Sequence, residues 1–81
     1  MKVRVRLFAA AKDLAGHDVL SLEVAERATV ADVRTALLAS APALANIVPH
    51  ALWAVDTQYA LESTPITEQS EIALIPPVSG G

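Results

Sequence analysis

This 81-residue sequence predicts an α+β fold: one main helix packed on one face of a mixed sheet, with an extended C-terminal tail. Three features predict it. Apolar and polar residues alternate strictly near both ends of the chain, a capped amphipathic helix lies between them, and the last six residues, Pro76-Pro77-Val78-Ser79-Gly80-Gly81, suit neither a helix nor a ladder.

Lys2 to Phe8 is the first strand. Val3, Val5 and Leu7 fall on one face and Lys2, Arg4, Arg6 and Phe8 on the other, so the aliphatic set should pack inward and Phe8 should be exposed. Ala9 to Leu14 is a short helix-permissive turn that Gly16 can end in the left-handed conformation. A second strand follows at Val19 to Val24, with Leu20, Leu22 and Val24 as its core face, in hairpin pairing with the first. Thr29 and Asp32 open the main helix as an acidic variant of the capping box, and Val30, Val33, Leu37 and Ala41 form its apolar stripe. Pro42 ends it. Leu44, Ile47 and Val48 belong to an irregular connection. Leu52 to Asp56 is a strand carrying Trp53, read as packing, and Tyr59 to Leu61 is a short continuation after a turn at Asp56-Thr57-Gln58. Thr64-Pro65 breaks the chain, Thr67 to Ser70 is a polar turn, and Glu71 to Ile75 is the last strand, with Ile72 and Leu74 on one face and Ala73 and Ile75 on the other. Strand, strand, helix, strand, short strand, strand, with a right-handed helical crossover, is the ubiquitin-like β-grasp. Residues 1–75 form that domain and 76–81 the tail.

In this arrangement the first and last strands are neighbours, so Phe8 and Ile75 should meet on the outer sheet face, with Tyr59 as a third member. A cluster of this kind marks a binding surface more readily than scattered apolar residues do. The prolines of the tail fix φ and remove two donors, so six polyproline-like residues should reach about 20 Å from the body. Gly80 and Gly81 have no Cβ, and a diglycine end can pass through a narrow channel.

Composition narrows the function further. The 53% hydrophobic fraction includes sixteen alanines and aromatic residues are only 4%, so the core must rest on Val, Leu and Ile. Formal charge is −3 with no basic run, which argues against nucleic acid as a partner; Lys2, Arg4 and Arg6 read as one solvated strand face. No apolar stretch suits a membrane span and no signal-peptide pattern is present, so the cytoplasm is the expected location. With no cysteine there is no disulfide, thiolate metal site or cysteine nucleophile, and His17 and His50 lack the spaced partner that would suggest a metal site.

Val5-Arg6-Leu7-Phe8-Ala9, the Lys12-Asp13-Leu14-Ala15-Gly16 turn, the capped helix, Trp53-Ala54-Val55-Asp56 with Tyr59, and the closing Glu71 to Gly81 run together resemble the small, sulfur-carrying subunits of molybdopterin synthase. The most specific part is the Pro-Pro-Val-Ser-Gly-Gly ending. The sequence departs from the family pattern at Gln69-Ser70-Glu71, where Gly-Asp-Glu is usual, and at Lys12, where Arg is frequent and would bind an anion in bidentate fashion. The resemblance implies a sulfur carrier. A ubiquitin-activating-like enzyme would use ATP to adenylate the Gly81 carboxylate, a sulfur donor protein would convert it to a thiocarboxylate, and the tail would deliver sulfur to cyclic pyranopterin monophosphate in the large subunit, in a heterotetramer. Gly81 would be the reacting terminus, Pro76, Pro77, Val78, Ser79 and Gly80 the inserted tail, and Phe8, Lys12, Tyr59 and Ile75 the partner interface. No cofactor would be bound by this chain, and the catalytic side chains would lie on the large subunit. The alternatives are a carrier for thiazole, cysteine or transfer-RNA thiolation, a ubiquitin-like protein modifier joined through Gly81 to lysines, and an interaction module with an inert tail.

Overall fold

The computed structural model describes residues 1–77. Five strands form one sheet in the order β2-β1-β5-β3-β4: β1 (Lys2–Leu7), β2 (Val19–Glu23), β3 (Leu52–Val55), β4 (Gln58–Tyr59) and β5 (Ile72–Ile75). Two helices, α1 (Ala9–Ala15) and α2 (Val30–Ser40), complete it with two single 3₁₀ turns, Pro42–Leu44 and Val48–His50. Only β1 and β5 run parallel, which makes the sheet mixed; β1 with β2, β3 with β5 and β3 with β4 are antiparallel. This is the ubiquitin-like β-grasp that the element order predicts.

Alternation decides the faces. Val3, Val5 and Leu7 of β1 are buried while Lys2, Arg4 and Arg6 are exposed. Register then builds two inward rows, Leu20–Val5–Ile72–Val55 across β2, β1, β5 and β3, and Leu7–Leu74–Trp53 across β1, β5 and β3. On α2, Val30, Val33 and Leu37 are fully buried, the i, i+3, i+7 stripe that a helix needs to lie on a sheet. Its start is fixed by Asp32, whose carboxylate accepts from the Thr29 amide at 2.9 Å and the Thr29 hydroxyl at 3.2 Å. Its end is Pro42, which takes the first position of the following 3₁₀ turn.

Several details differ from the sequence expectation. The strands are shorter by a residue or more: β1 stops at Leu7, β2 at Glu23, β3 at Val55, and β4 is Gln58–Tyr59 rather than 59–61. The connection after α2 is ordered into its two 3₁₀ turns because Leu44 and Val48 are buried and anchor it. Ile66, in a segment that reads as breaker and turn, is also buried, and its amide donates to the Ala28 carbonyl at 2.9 Å. That bond and the Thr29–Pro65 bridge strap the loop across the start of α2. Pro76 does not lead off into solvent. It is buried, continuing the alternation of Ile72 and Leu74 for one more inward position, so the exposed lead begins at Pro77.

The β3–β4 turn carries visible strain. Asp56 has φ 52° and Thr57 φ 69°, the pair of positive values a two-residue hairpin turn of this kind requires. Asp suits that geometry, but a β-branched Thr pays a steric cost of about 1–2 kcal/mol there. Thr57→Gly is expected to raise the unfolding free energy by about 0.5–1 kcal/mol in urea titration, the relief of strain outweighing the added freedom of the unfolded chain. An unchanged or lower midpoint would show the Thr conformation to be unstrained.

Candidate functional site

The outer sheet face carries an apolar patch built by the same register that builds the core. Ile75 of β5 is paired with Leu52 of β3, and both point away from the core because their neighbours Leu74 and Trp53 point into it. Phe8, one residue beyond β1 and of outward parity, adjoins that row because Leu7 is paired with Leu74. Phe8 is 42% exposed, Leu52 55% and Tyr59 76%, while Ile75 is half-buried. Next to this row lies another: Val19–Arg6–Ala73–Ala54–Tyr59, one residue from each strand. Ala73 and Ala54 leave a low floor between Arg6 and Tyr59, which three strand spacings hold about 14 Å apart. The patch therefore has raised sides and a shallow centre.

The backbone fixes Phe8 in place. It precedes α1 in extended conformation, φ −128° and ψ 156°, and its carbonyl accepts from the Ala11 and Lys12 amides at 3.1 and 3.4 Å. The chain swings into the helix at Ala9, which adopts φ 50°, a left-handed value that costs an alanine about 1–2 kcal/mol. Helix α1 is stopped by Gly16 at φ 76°, whose amide donates to the Lys12 carbonyl at 2.9 Å. Lys12 is exposed on α1, four residues after Phe8.

Of the residues singled out from sequence, Phe8, Tyr59 and Ile75 share this outer face, and Lys12 stands exposed on α1. Pro76 and Pro77 follow directly from Ile75, so whatever the tail does, it starts at the edge of the patch. Val78, Ser79, Gly80 and Gly81 lie outside the described residues. Sequence reading missed Leu52 and Leu61, the second 75% exposed just after β4. Leu52 was recoverable from parity, since an inward Trp53 forces its neighbour outward. Leu61 shares the parity of Tyr59 in the 59–61 strand that the sequence predicts, so the same signal was available, although β4 itself ends at Tyr59.

Among the described residues no group of three His, Cys, Asp or Glu side chains could hold a metal ion, and no helix is long and apolar enough to cross a membrane. His17 and His50 are exposed.

The ThiS family model matches residues 5–81. This chain belongs to the ThiS family. Its curated relatives include the molybdopterin synthase sulfur carrier subunit of Arabidopsis thaliana, 30% identical over 81 residues, covering 100% of this chain and 84% of that one. The subunit of the same name in Caenorhabditis elegans is 31% identical over 83 residues, covering 100% and 99%. Among solved structures, SAMP1 of Haloferax volcanii superposes with a TM-score of 0.90 at 29% identity, covering 100% of both chains. The family match covers the β-grasp body and the diglycine tail together.

Trp53 and Phe8 should separate cleanly in stability measurements. Trp53 is 8% exposed, so Trp53→Ala is expected to cost about 3–5 kcal/mol in urea unfolding. For Phe8→Ala the expected loss is smaller, about 1–2 kcal/mol, because its ring is 42% exposed and stands outside the buried core. Equal losses for the two would mean that Phe8 serves the core rather than the outer face.

Proposed function

We propose that this chain is the sulfur carrier subunit of molybdopterin synthase, with Gly81 as the group that carries sulfur. The observation that supports this most strongly is the full-length similarity to sulfur carrier subunits of that synthase, joined to an ending that follows straight from an exposed apolar patch. A carboxylate is a poor electrophile, so it must be activated. Attack of the Gly81 carboxylate on the α-phosphate of ATP forms an acyl-adenylate and releases pyrophosphate. A donor protein's persulfide then displaces AMP to form an acyl disulfide, and a second thiol cleaves its S–S bond, leaving the Gly81 thiocarboxylate and a disulfide on the donor side.

In this reading the body works as a handle. Phe8, Ile75, Tyr59 and Lys12 seat it on a partner, and Pro77 to Gly80 thread Gly81 into that partner's channel, where the sulfur passes to cyclic pyranopterin monophosphate. Pro76 anchors the tail to the body. Acid, base and phosphate-binding groups for the transfer belong to the large subunit, and ATP belongs to the activating enzyme; the cytoplasm is where these partners would meet the chain.

A second reading has one observation in its favour. The Haloferax volcanii neighbour is a small archaeal modifier protein, and a modifier would join Gly81 to lysines of other proteins. The two readings share activation and part at the acceptor.

Intact-mass spectrometry of the chain isolated from its own cells separates them. The carrier reading expects free chain heavier by the difference between sulfur and oxygen, and loss of molybdopterin when Gly81 is deleted. A ladder of denaturation-resistant adducts that vanishes with Gly81, with molybdopterin unaffected, would replace it with the modifier. Carriers for thiazole, cysteine or transfer-RNA thiolation would show the thiocarboxylate while molybdopterin persists without Gly81.

A further inference from the structure

We infer that Arg6 is the polar anchor of the docking face and receives a carboxylate of the protein that covers the patch, a contact that rests on the carrier reading above. In a chain with six Lys and Arg and net charge −3, three of the six stand on one face of one strand: Lys2, Arg4 and Arg6, all exposed. Their surroundings are not equivalent. Lys2 is paired across β1 and β2 with Glu23, and Arg4 with Ser21. Arg6 has Val19 on one side and Ala73 on the other, so its cross-strand neighbours bring no opposite charge. The ion pairs formed among the described residues, Met1 amino group with Glu23 and Arg34 with Glu62, use none of the three.

Lys2, Arg4 and Arg6 also line an open groove of about 830 Å³ whose far wall includes Glu68 and Glu71. Glu71 precedes β5, and the parallel register that sets Val5 beside Ile72 carries it towards Arg4, leaving Ala73 beside Arg6. Arg6 is thus the cation of the stripe that lies within the apolar rows rather than at the acidic end of the groove.

A second observation ties Arg6 to the patch. Its guanidinium carbon lies 5.8 Å from the centroid of the Phe8 ring, within the range of a cation–π contact. This contact holds the long side chain over the row that a partner would cover, so less rotamer freedom remains to be lost on docking. A partner that buries Phe8 and the alanine floor must desolvate this guanidinium too. Left unpaired, it would oppose binding; met by a carboxylate in the planar two-bond geometry, it becomes a strong, orienting contact. The occupant is therefore a protein surface with an acidic side chain set inside an apolar footprint, and in the carrier reading that protein is the large synthase subunit.

The test is titration of the full-length chain into the large molybdopterin synthase subunit of the same organism, with R6A, R6K, R6E and R27E compared against the native sequence. Circular dichroism melting establishes that each variant is folded. R6A should bind at least about tenfold more weakly, R6K should recover part of that loss, and R6E should be the weakest. R27E makes the same change in net charge as R6E on the loop between β2 and α2, and should stay within about threefold of the native chain. Native-like binding by R6A and R6E overturns the Arg6 contact and leaves the carrier reading intact. Equal losses for R6E and R27E overturn it as well, because net charge would then account for the effect. Failure of the native chain to bind the subunit at all sinks the carrier reading and the contact together. Self-association of the native chain that R6A abolishes would assign the face to a second copy instead.

Discussion

The parallel pairing of β1 with β5 is the constraint on which the remaining architecture depends. It joins residues 5–7 to residues 72–74 and so closes the chain on itself across most of its length. Closing so large a loop costs entropy that grows with the logarithm of loop length, and the gain must come from what the pairing buries. Val5, Leu7, Ile72 and Leu74 are each at most 2% exposed. The same pairing leaves β5 with β1 on one side and β3 on the other, at the middle of the sheet. A strand at the centre of the sheet that runs directly into Pro76 and Pro77 gives the chain a firmly held exit point there.

Because strands alternate, the pairing that buries one face composes the other. Every inward contact between β1 and β5 sets an outward neighbour: Leu7 with Leu74 places Phe8 near Ile75, and Val5 with Ile72 places Arg6 beside Ala73. A slip of one residue would turn Phe8 inward and Leu7 outward, destroying core and patch in the same move. The outer face is therefore protected by the stability of the core although it contributes little to it. Buried Pro76 extends this coupling into the tail, since one more inward position is filled before the chain is released.

Periodicity made much of this legible. Strict alternation in Lys2 to Phe8 and in Glu71 to Ile75 determined which residues face the core, and the Thr29–Asp32 pair with Val30, Val33 and Leu37 determined the helix and its buried side. The exposure of Phe8 followed from the same parity. Parts governed by tertiary contact were not legible. Ile66 sits between Pro65 and a polar turn, and its burial depends on the Ala28 carbonyl, a partner distant in sequence. Leu44 and Val48 turn an apparently irregular connection into two 3₁₀ turns by packing, a signal that no local period carries. The inward position of Pro76 was hidden by its chemistry: proline stops a ladder, but an imino acid without an N–H can still continue an extended chain whose next inward site lacks a strand partner.

The placement of the patch has a consequence for any chemistry at the C-terminus. In the proposed reading both the activating enzyme and the large subunit must reach Gly81, and a single short tail can enter only one channel at a time. The tail begins beside Ile75, so in that reading a partner that takes the tail would meet the same outer face, and the two enzymes would use overlapping ground. Release between them then matters as much as capture. A face of this size, with one aromatic ring, a few aliphatic groups and a shallow floor, suits that need better than a large apolar interface, which would hold its first partner too long. A charged contact inside such a face supplies orientation while its strength still depends on meeting a well-placed carboxylate. The selectivity of the handle thus resides in the few polar groups that interrupt its apolar rows.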